Sequence, residues 1–329
     1  MSASFKLALQ AAADAASAQH YPPGTLYVVA TPIGNLADMT LRALHVLGLV
    51  DAIACEDTRH TQALLRAYGI DKSAGQLMAV HQHNESQASE AVIARLRQGE
   101  RVAYASDAGT PAVSDPGARL VAAARAAGCS VVPLPGASSI TAALSVAGIV
   151  QDTGFVFAGF LPSKTAERQA AVLSILGEPR AVVLLEAPHR IEALAKALTG
   201  LGPRPVTLCR ELTKQFEEVA TVPAEALATW IGAQATRTRG EFVVVVHPAP
   251  PAQAAPAADL RVLQLLLAEL PLKSAVKLAA EITGQPRNVL YPAALALRPG
   301  SASSAGDEDA DDRSENSGED VDNTDAPSH

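Results

Sequence analysis

The chain has 329 residues, 26 basic and 34 acidic side chains, a formal net charge of −8 and 48% hydrophobic residues. That length suffices for about two domains, and no apolar run approaches the roughly 18 residues of a membrane span. The charge is concentrated at one end. Residues 301–329 carry ten acids against Arg313 alone, or −9, which leaves the first 300 residues at +1, so an anionic partner is not excluded. Cys55, Cys129 and Cys209 are odd in number, lie far apart and form no C-x-x-C. This argues against a disulfide framework and a zinc site and fits a cytoplasmic protein.

Residues 1–23 read as a flexible leader. Their apolar centre is broken by Gln10 and Asp14, too short for a secretory signal. From residue 24 to 148, strand patterns at Leu26–Ala30, Ala52–Cys55, Leu77–Val80, Val102–Ala105 and Ser130–Pro133 alternate with helical patterns. The helical stretches are Leu41–Leu47, Thr61–Tyr68, Ala88–Arg97, Ala118–Ala127 and Ser138–Ala147. Alternation of this kind predicts an α/β domain with a largely parallel sheet covered by helices.

Residues 149–247 predict a second α/β domain. Strands are expected at Gly154–Ala158, Ala181–Leu185, Val206–Cys209, Val219–Thr221 and Phe242–His247, with fewer helices between them, so the pairing should be mixed. A Pro/Ala linker, residues 248–258, leads to a small helical appendage, 259–298. Its Lys273, Lys277 and Arg287 read either as a solvated face or as a nucleic-acid contact. The acidic tail, 299–329, has no Leu, Ile, Phe, Tyr or Trp. Without such side chains to bury, it cannot offset its ordering entropy, and disorder is expected.

In an open α/β sheet, ligands bind beyond the carboxyl ends of the strands. Three loops there are rich in Gly, Pro, Ser and Thr: Thr31-Pro32-Ile33-Gly34-Asn35, Ser106-Asp107-Ala108-Gly109-Thr110-Pro111 and Pro133-Leu134-Pro135-Gly136-Ala137-Ser138-Ser139. None contains the Gly-rich lysine loop that clamps triphosphates, and no G-x-G-x-x-G follows the first strand. Close backbone approach, hydroxyls and the carboxylate of Asp107 remain. These are compatible with S-adenosylmethionine, whose sulfonium would be repelled by a lysine.

A second set of residues is charged: Glu56, Asp57, Arg59 and His60; His81, His83, Asn84 and Glu85; Lys164 and Arg168; Glu186, His189 and Arg190; Arg210, Glu211 and Lys214. Asp57 reads equally as a helix cap, and Glu186 with Arg190 as a local ion pair. Together they suit a cleft in which Arg and Lys hold phosphates while Asn, His and Glu meet sugars and base edges. No metal site is expected.

The stretches VVATPIGNLADMTLRAL, ACEDTRHT, HNE, SDAGTPAVSDPG, PLPGASSITAAL, GFLPSK, EAPHR, RELTKQFEE and GEFVVVV follow one another in this order between Gly24 and His247. As a set they resemble the bacterial ribosomal RNA small subunit methyltransferases of the tetrapyrrole methylase superfamily. The resemblance implies two α/β domains with S-adenosylmethionine in the cleft between them. It also implies a homodimer, and transfer of a methyl to the ribose 2′-oxygen of a cytidine in the decoding region of 16S rRNA, within the small ribosomal subunit.

By motif position, Pro32, Ile33, Asp107, Ala108, Gly109, Thr110, Ser138 and Ser139 should hold the donor from the first domain, and Ala187 and Gly240 from the second. The RNA-facing set would be Arg59, His60, Asn84, Lys164, Arg168, Arg190 and Arg210. Candidates for the base are Glu186, Glu211, His189 and Lys214, with Asp57 weaker; Glu186 ranks first because it closes a strand. Ala137-Ser138 stands where relatives often have Pro-Ser, which bears on loop stiffness. The alternative is methylation of a tetrapyrrole or another small metabolite on the same fold. A chain ending at Arg298 should methylate its substrate as fast as the full chain, since the tail has no means of folding and its charge opposes RNA; a methyl-incorporation assay on both lengths checks this.

Overall fold

The computed structural model describes residues 5–81, 84–151, 153–249 and 257–297. The acidic tail, most of the Pro/Ala linker and His83 lie outside them. Residues up to Pro251 form one compact unit and those from Ala252 a second.

The first sheet contains β1 (Thr25–Val29), β2 (Ala52–Cys55), β3 (Leu77–Ala79), β4 (Val102–Ala105) and β5 (Ser130–Leu134), in the order β3-β2-β4-β1-β5. All pairs are parallel. A parallel sheet hides both faces, so its strands read as continuous apolar runs; β2 and β4 are buried at every position. On one face Tyr27, Val29, Ile53 and Ala103 pack with helices α1 (Lys6–Ala16), α2 (Leu41–Leu49) and α3 (Thr58–Tyr68). On the other, Leu26, Ala54, Val102 and Tyr104 meet α4 (Glu85–Arg97) and α5 (Gly117–Ala126).

The leader differs from the loose segment expected. It forms α1, which lies against α2 with Ala12 fully buried and the Phe5 ring tilted against that of Tyr68, centroids 5.0 Å apart. The Gln and Asp that break its apolar run, Gln10 and Asp14, are one helical turn apart and hydrogen-bond each other at 2.9 Å. That spacing places them together on one helix face, and Ala12 between them in sequence turns inward.

The second sheet contains β6 (Phe155–Gly159), β7 (Ala181–Glu186), β8 (Pro205–Arg210), β9 (Glu218–Pro223) and β10 (Phe242–Val246), ordered β6-β7-β10-β8-β9. Only β6 and β7 are parallel; the other pairs are antiparallel. Helices α7 (Thr165–Leu176), α8 (Ile191–Leu198) and α9 (Leu227–Gly232) cover one face through Val182, Leu184, Leu208 and Val244. The opposite face is covered by a helix from the first half of the chain. Ile140 and Ala143 of α6 (Ser139–Val146) pack on Val183, Cys209, Val243 and Val245, joined by Leu212 and Ile33. Thus α6, grouped by sequence with the first domain, is seated on the second sheet.

In the second unit, α10 (Ala257–Glu269), α11 (Leu272–Thr283) and α12 (Arg287–Ala296) share a core of Leu263, Val276, Ala279, Leu290 and Ala294. Lys273 and Lys277 are exposed on α11, and Arg287 approaches Glu281 at 3.9 Å.

Ala12→Asp would bury an unpaired carboxylate under α1 and should cost about 2–4 kcal/mol of stability. Denaturant unfolding measures it; a loose leader would give no change.

Candidate functional site between the two sheets

The sheet order creates a switch point. β4 and β1 are neighbours, yet the chain leaves β1 toward β2 and leaves β4 toward β5, in opposite directions. The loops at their carboxyl ends therefore diverge and leave a crevice, where ligands settle in such sheets. Backbone bonds hold the crevice in shape. Thr31 and Gly109 exchange hydrogen bonds of 2.9 and 3.0 Å, Thr31 Oγ1 donates to the Ser106 carbonyl at 3.1 Å, and Thr110 Oγ1 donates to the Ala137 carbonyl at 3.0 Å. All three loops are thus tied to one another.

Two carboxylates behind the loops complete the frame. Asp115 accepts from Ala112 N–H at 2.9 Å, Gly117 N–H at 2.8 Å and Tyr104 Oη at 3.1 Å. Glu56 Oε1 accepts from Asp107 N–H at 3.0 Å. Burial raises the Glu56 pKa, the Asp107 N–H opposes this, and the charges of Asp107 and Asp115 add to the rise.

Two adjoining cavities open over the loops. The first, of about 370 Å³, is lined by Ile33, Ala108 and Ser139 from the first half and by Phe160, Leu185, Glu186, Ala187, Pro188, Cys209, Leu212, Glu241, Phe242 and Val243 from the second. Among the described residues, no Lys or Arg lines it. The second, of about 420 Å³, is lined by Pro32, Ile33, Gly34, Leu36, His60, Ala63, Leu64, Ala67, Asp107, Ala108, Lys214 and Glu241. Ile33, Ala108 and Glu241 belong to both.

In the first cavity, the Glu186 side chain is fully enclosed. Its Oε1 accepts from its neighbour Ala187 N–H at 2.9 Å and lies 3.1 Å from Arg190 Nε. Its Oε2 has no hydrogen-bond partner among the described residues. An enclosed carboxylate oxygen without a partner is costly. Ser139 opens α6 here, where free backbone N–H groups favour negative charge. Hydroxyl, amide and carboxylate groups at such a site suit a ligand with ribose hydroxyls, an amino-acid end and a positive centre.

In the second cavity, Lys214 stands on the loop after β8. Its Nζ donates to Glu211 Oε1 at 2.8 Å and to Glu241 Oε2 at 3.0 Å. Glu211 also accepts from Glu241 N–H at 2.9 Å and packs against Gly240. Burial acts to lower the Lys214 pKa, but Glu211 and Glu241 outweigh it and the net shift is upward; the Glu211 carboxyl moves down, with Lys214 and the Glu241 N–H outweighing its burial.

The remaining sequence-predicted residues fall into two groups. His60 lines the second cavity, as do Pro32 and Asp107, which the resemblance had placed beside the donor. The others line neither cavity. Arg59 is exposed and pairs with Asp57 at 2.8 Å, and Lys164 is exposed and pairs with Glu167 at 3.0 Å. His189 is exposed on the turn after β7. Asn84 shapes a turn by bonding His81 N–H and the Ala79 carbonyl. Arg168 is buried and bonds the Ser163 carbonyl at 3.2 Å; Arg190 bonds the Leu161 carbonyl. Arg210 meets Glu218 at 3.3 Å and the Phe216 carbonyl at 3.0 Å. Sequence reasoning singled out Glu56 and missed Phe160, Leu212 and Glu241. Only Glu241 carried a signal, as the charged residue before the apolar run FVVVV.

A family model for the tetrapyrrole (corrin/porphyrin) methylases matches residues 25–228, and one described as the RsmI C-terminal HTH domain matches 253–298. The ribosomal RNA small subunit methyltransferase I of Pseudomonas aeruginosa is 49% identical over 277 residues, 83% of this chain and 97% of the relative. That of Escherichia coli O157:H7 is 48% identical over 276 residues, 83% and 95% of the two chains. Among solved structures, a conserved hypothetical protein of Aeropyrum pernix K1 has the same fold, with a TM-score of 0.52 at 18% identity, over 82% of this chain and 96% of that one.

The Glu56 pKa gives a sign for pH dependence. A carboxyl raised in the folded state binds its proton more tightly there than when unfolded. Stability is therefore lost as pH rises from the ordinary glutamate range through the raised value. Glu56→Gln keeps the acceptor for Asp107 N–H and removes the charge. It should melt close to wild type at pH 4 and a few degrees higher at pH 7, measured by thermal unfolding at both.

Proposed function

Because the chain belongs to the ribosomal RNA small subunit methyltransferase I family of the tetrapyrrole methylases, we propose that it methylates the ribose 2′-oxygen of a cytidine in the decoding region of 16S rRNA. The coarser function, S-adenosylmethionine-dependent methylation of ribosomal RNA, follows from that membership. The site of modification is supported by the motifs the chain shares with that family. In this reading it acts in the cytoplasm, as a homodimer, on RNA within the small ribosomal subunit.

The observation that carries the donor assignment is the first cavity, with Ser139 at a helix start, the enclosed Glu186 oxygen and no lysine or arginine. S-adenosylmethionine, when bound, supplies an electrophilic methyl on a sulfonium. The residues' part is to orient it, and positioning of two reactants supplies much of such a reaction's acceleration. Ala108 and Ile33 close one side, Ala187, Leu212 and Phe242 the other. Glu186, walled in beside Arg190, suits holding a donor hydroxyl or ammonium better than collecting a proton from the acceptor.

Gly109 has φ +83°, and a Cβ there would stand 3.3 Å from Ile33 Cγ2. A branched side chain is strained at such a φ. Gly109→Val should weaken S-adenosylmethionine binding more than tenfold in calorimetry. Glu186→Gln should weaken it by about ten- to a hundredfold, as expected for loss of a charge-assisted hydrogen bond of about 1.5–3 kcal/mol; unchanged binding with a collapsed transfer rate would instead make Glu186 the base. Mapping of 2′-O-methylated riboses on rRNA from cells with and without the protein tests the substrate. Loss of no mark would overturn the proposal.

A further inference from the structure

Resting on the RNA-methylating reading above, we propose that the second cavity receives the target nucleoside and that Lys214 and Glu241 act on its 2′-hydroxyl, Lys214 holding the oxygen and Glu241 taking the proton.

The cavity's position comes first. It shares Ile33, Ala108 and Glu241 with the donor cavity, so an acceptor seated in it faces the donor across a common wall. Its volume of about 420 Å³ lies within the range of small-molecule sites, about 300–1,000 Å³. Its two ends differ in chemistry. Leu36, Ala63, Leu64 and Ala67 make an apolar side, a surface for the face of a base drawn out of its stack. His60, Asp107, Lys214 and Glu241 make the polar side.

The placing of Lys214 is the second observation. The loop after β1 has no lysine of its own; Lys214 is brought over it from the second sheet. A Cβ on Gly34 would lie 2.3 Å from Lys214 Cγ, so the lysine stem lies directly on that glycine. Two residues of its loop hold positive φ, Glu211 at 53° and Thr213 at 67°. Such conformations cost free energy and persist where the surroundings over-determine them, often at functional sites. Lys214 Nζ uses two of its three donors on Glu211 and Glu241. The third has no partner among the described residues and can meet an oxygen in the cavity.

Glu241 differs from the other carboxylates here. Its side chain is 78% exposed while that of Glu211 is 20% exposed and that of Glu186 is enclosed. Only Glu241 both touches the wall common to the two cavities and can pass a proton to water. In the step, the 2′-oxygen loses its proton to the Glu241 carboxylate and forms a bond to the methyl carbon. The carbon–sulfur bond breaks with its electron pair left on sulfur, giving S-adenosylhomocysteine. The Lys214 ammonium stabilises the negative charge that gathers on the oxygen. The upward shift of its pKa keeps it a donor. The other titratable groups around this pair are Glu211 beside it and His60 and Asp107 on the cavity wall.

The test uses the full chain and small ribosomal subunits from cells lacking the protein. Lys214→Met should slow single-turnover transfer by more than a hundredfold, with Lys214→Arg recovering part of it. Glu241→Gln should slow it at least tenfold and make the rate climb with pH. Lys214→Met should bind S-adenosylmethionine within about twofold of wild type by calorimetry. Ala63→Trp, on an exposed position of α3, should fill the cavity and stop transfer while donor binding and the melting temperature stay unchanged. Normal transfer by Ala63→Trp, or by both Lys214→Met and Glu241→Gln, would overturn the assignment, as would loss of donor binding in all three. Failure of the wild-type chain to methylate the subunits would strike the proposed function instead.

Discussion

The seating of α6 on the second sheet is the contact on which the site depends. Ile140 and Ala143 leave the first half of the chain and enter the core made by Val183, Cys209, Val243 and Val245. Burying side chains of this kind contributes about 1.5–3 kcal/mol for each large one. The same contact fixes where Ser139 begins its helix and where Ile33 lies, and both line the first cavity. A sheet face left uncovered by α7–α9 thus becomes a cavity wall on one side and a joint between the two halves on the other.

That joint needs rigid loops, and the chain supplies them by hydrogen bonding more than by packing. The loops after β1, β4 and β5 are bonded to one another through Thr31, Gly109, Thr110 and Ala137. Asp115 gathers two backbone N–H groups and a tyrosine hydroxyl into one carboxylate. In return the turn carries Ala112 at φ 68°. Strained residues recur in the loop that delivers Lys214. Regular elements carry the load of burial, and the irregular segments that carry chemistry are held by polar contacts from behind.

Charge is divided between the two cavities. Among the described residues no Lys or Arg lines the first cavity, and one enclosed carboxylate oxygen there has no partner. The neighbouring cavity has a lysine held between two glutamates. Several cations expected from sequence to meet phosphates are instead engaged within the fold: Arg168 and Arg190 on backbone carbonyls, Arg210 on Glu218. Arg59 and Lys164 stay exposed with local partners, where ion pairs contribute about 0–1 kcal/mol and yield readily to a stronger partner.

The sequence by itself determined the elements and the loops. The runs AIAC, VAYA and FVVVV read as strands because a sheet buried on both faces demands apolar side chains at every position, and the helical stretches Leu41–Leu47 and Thr61–Tyr68 fall within α2 and α3. The three ligand loops were legible because turns at strand ends require Gly, Pro and short polar residues. Tertiary structure alone decided what those loops face. No local pattern says that α6 packs on the sheet that follows it, that α1 docks on α2, or that Lys214 crosses to Gly34, since each contact joins residues whose separation in sequence carries no period. The same holds for electrostatics. Arg168 and Arg59 look alike in sequence, and only folding makes one a buried donor to a carbonyl and the other a solvated charge, because burial is a property of the neighbours and not of the residue.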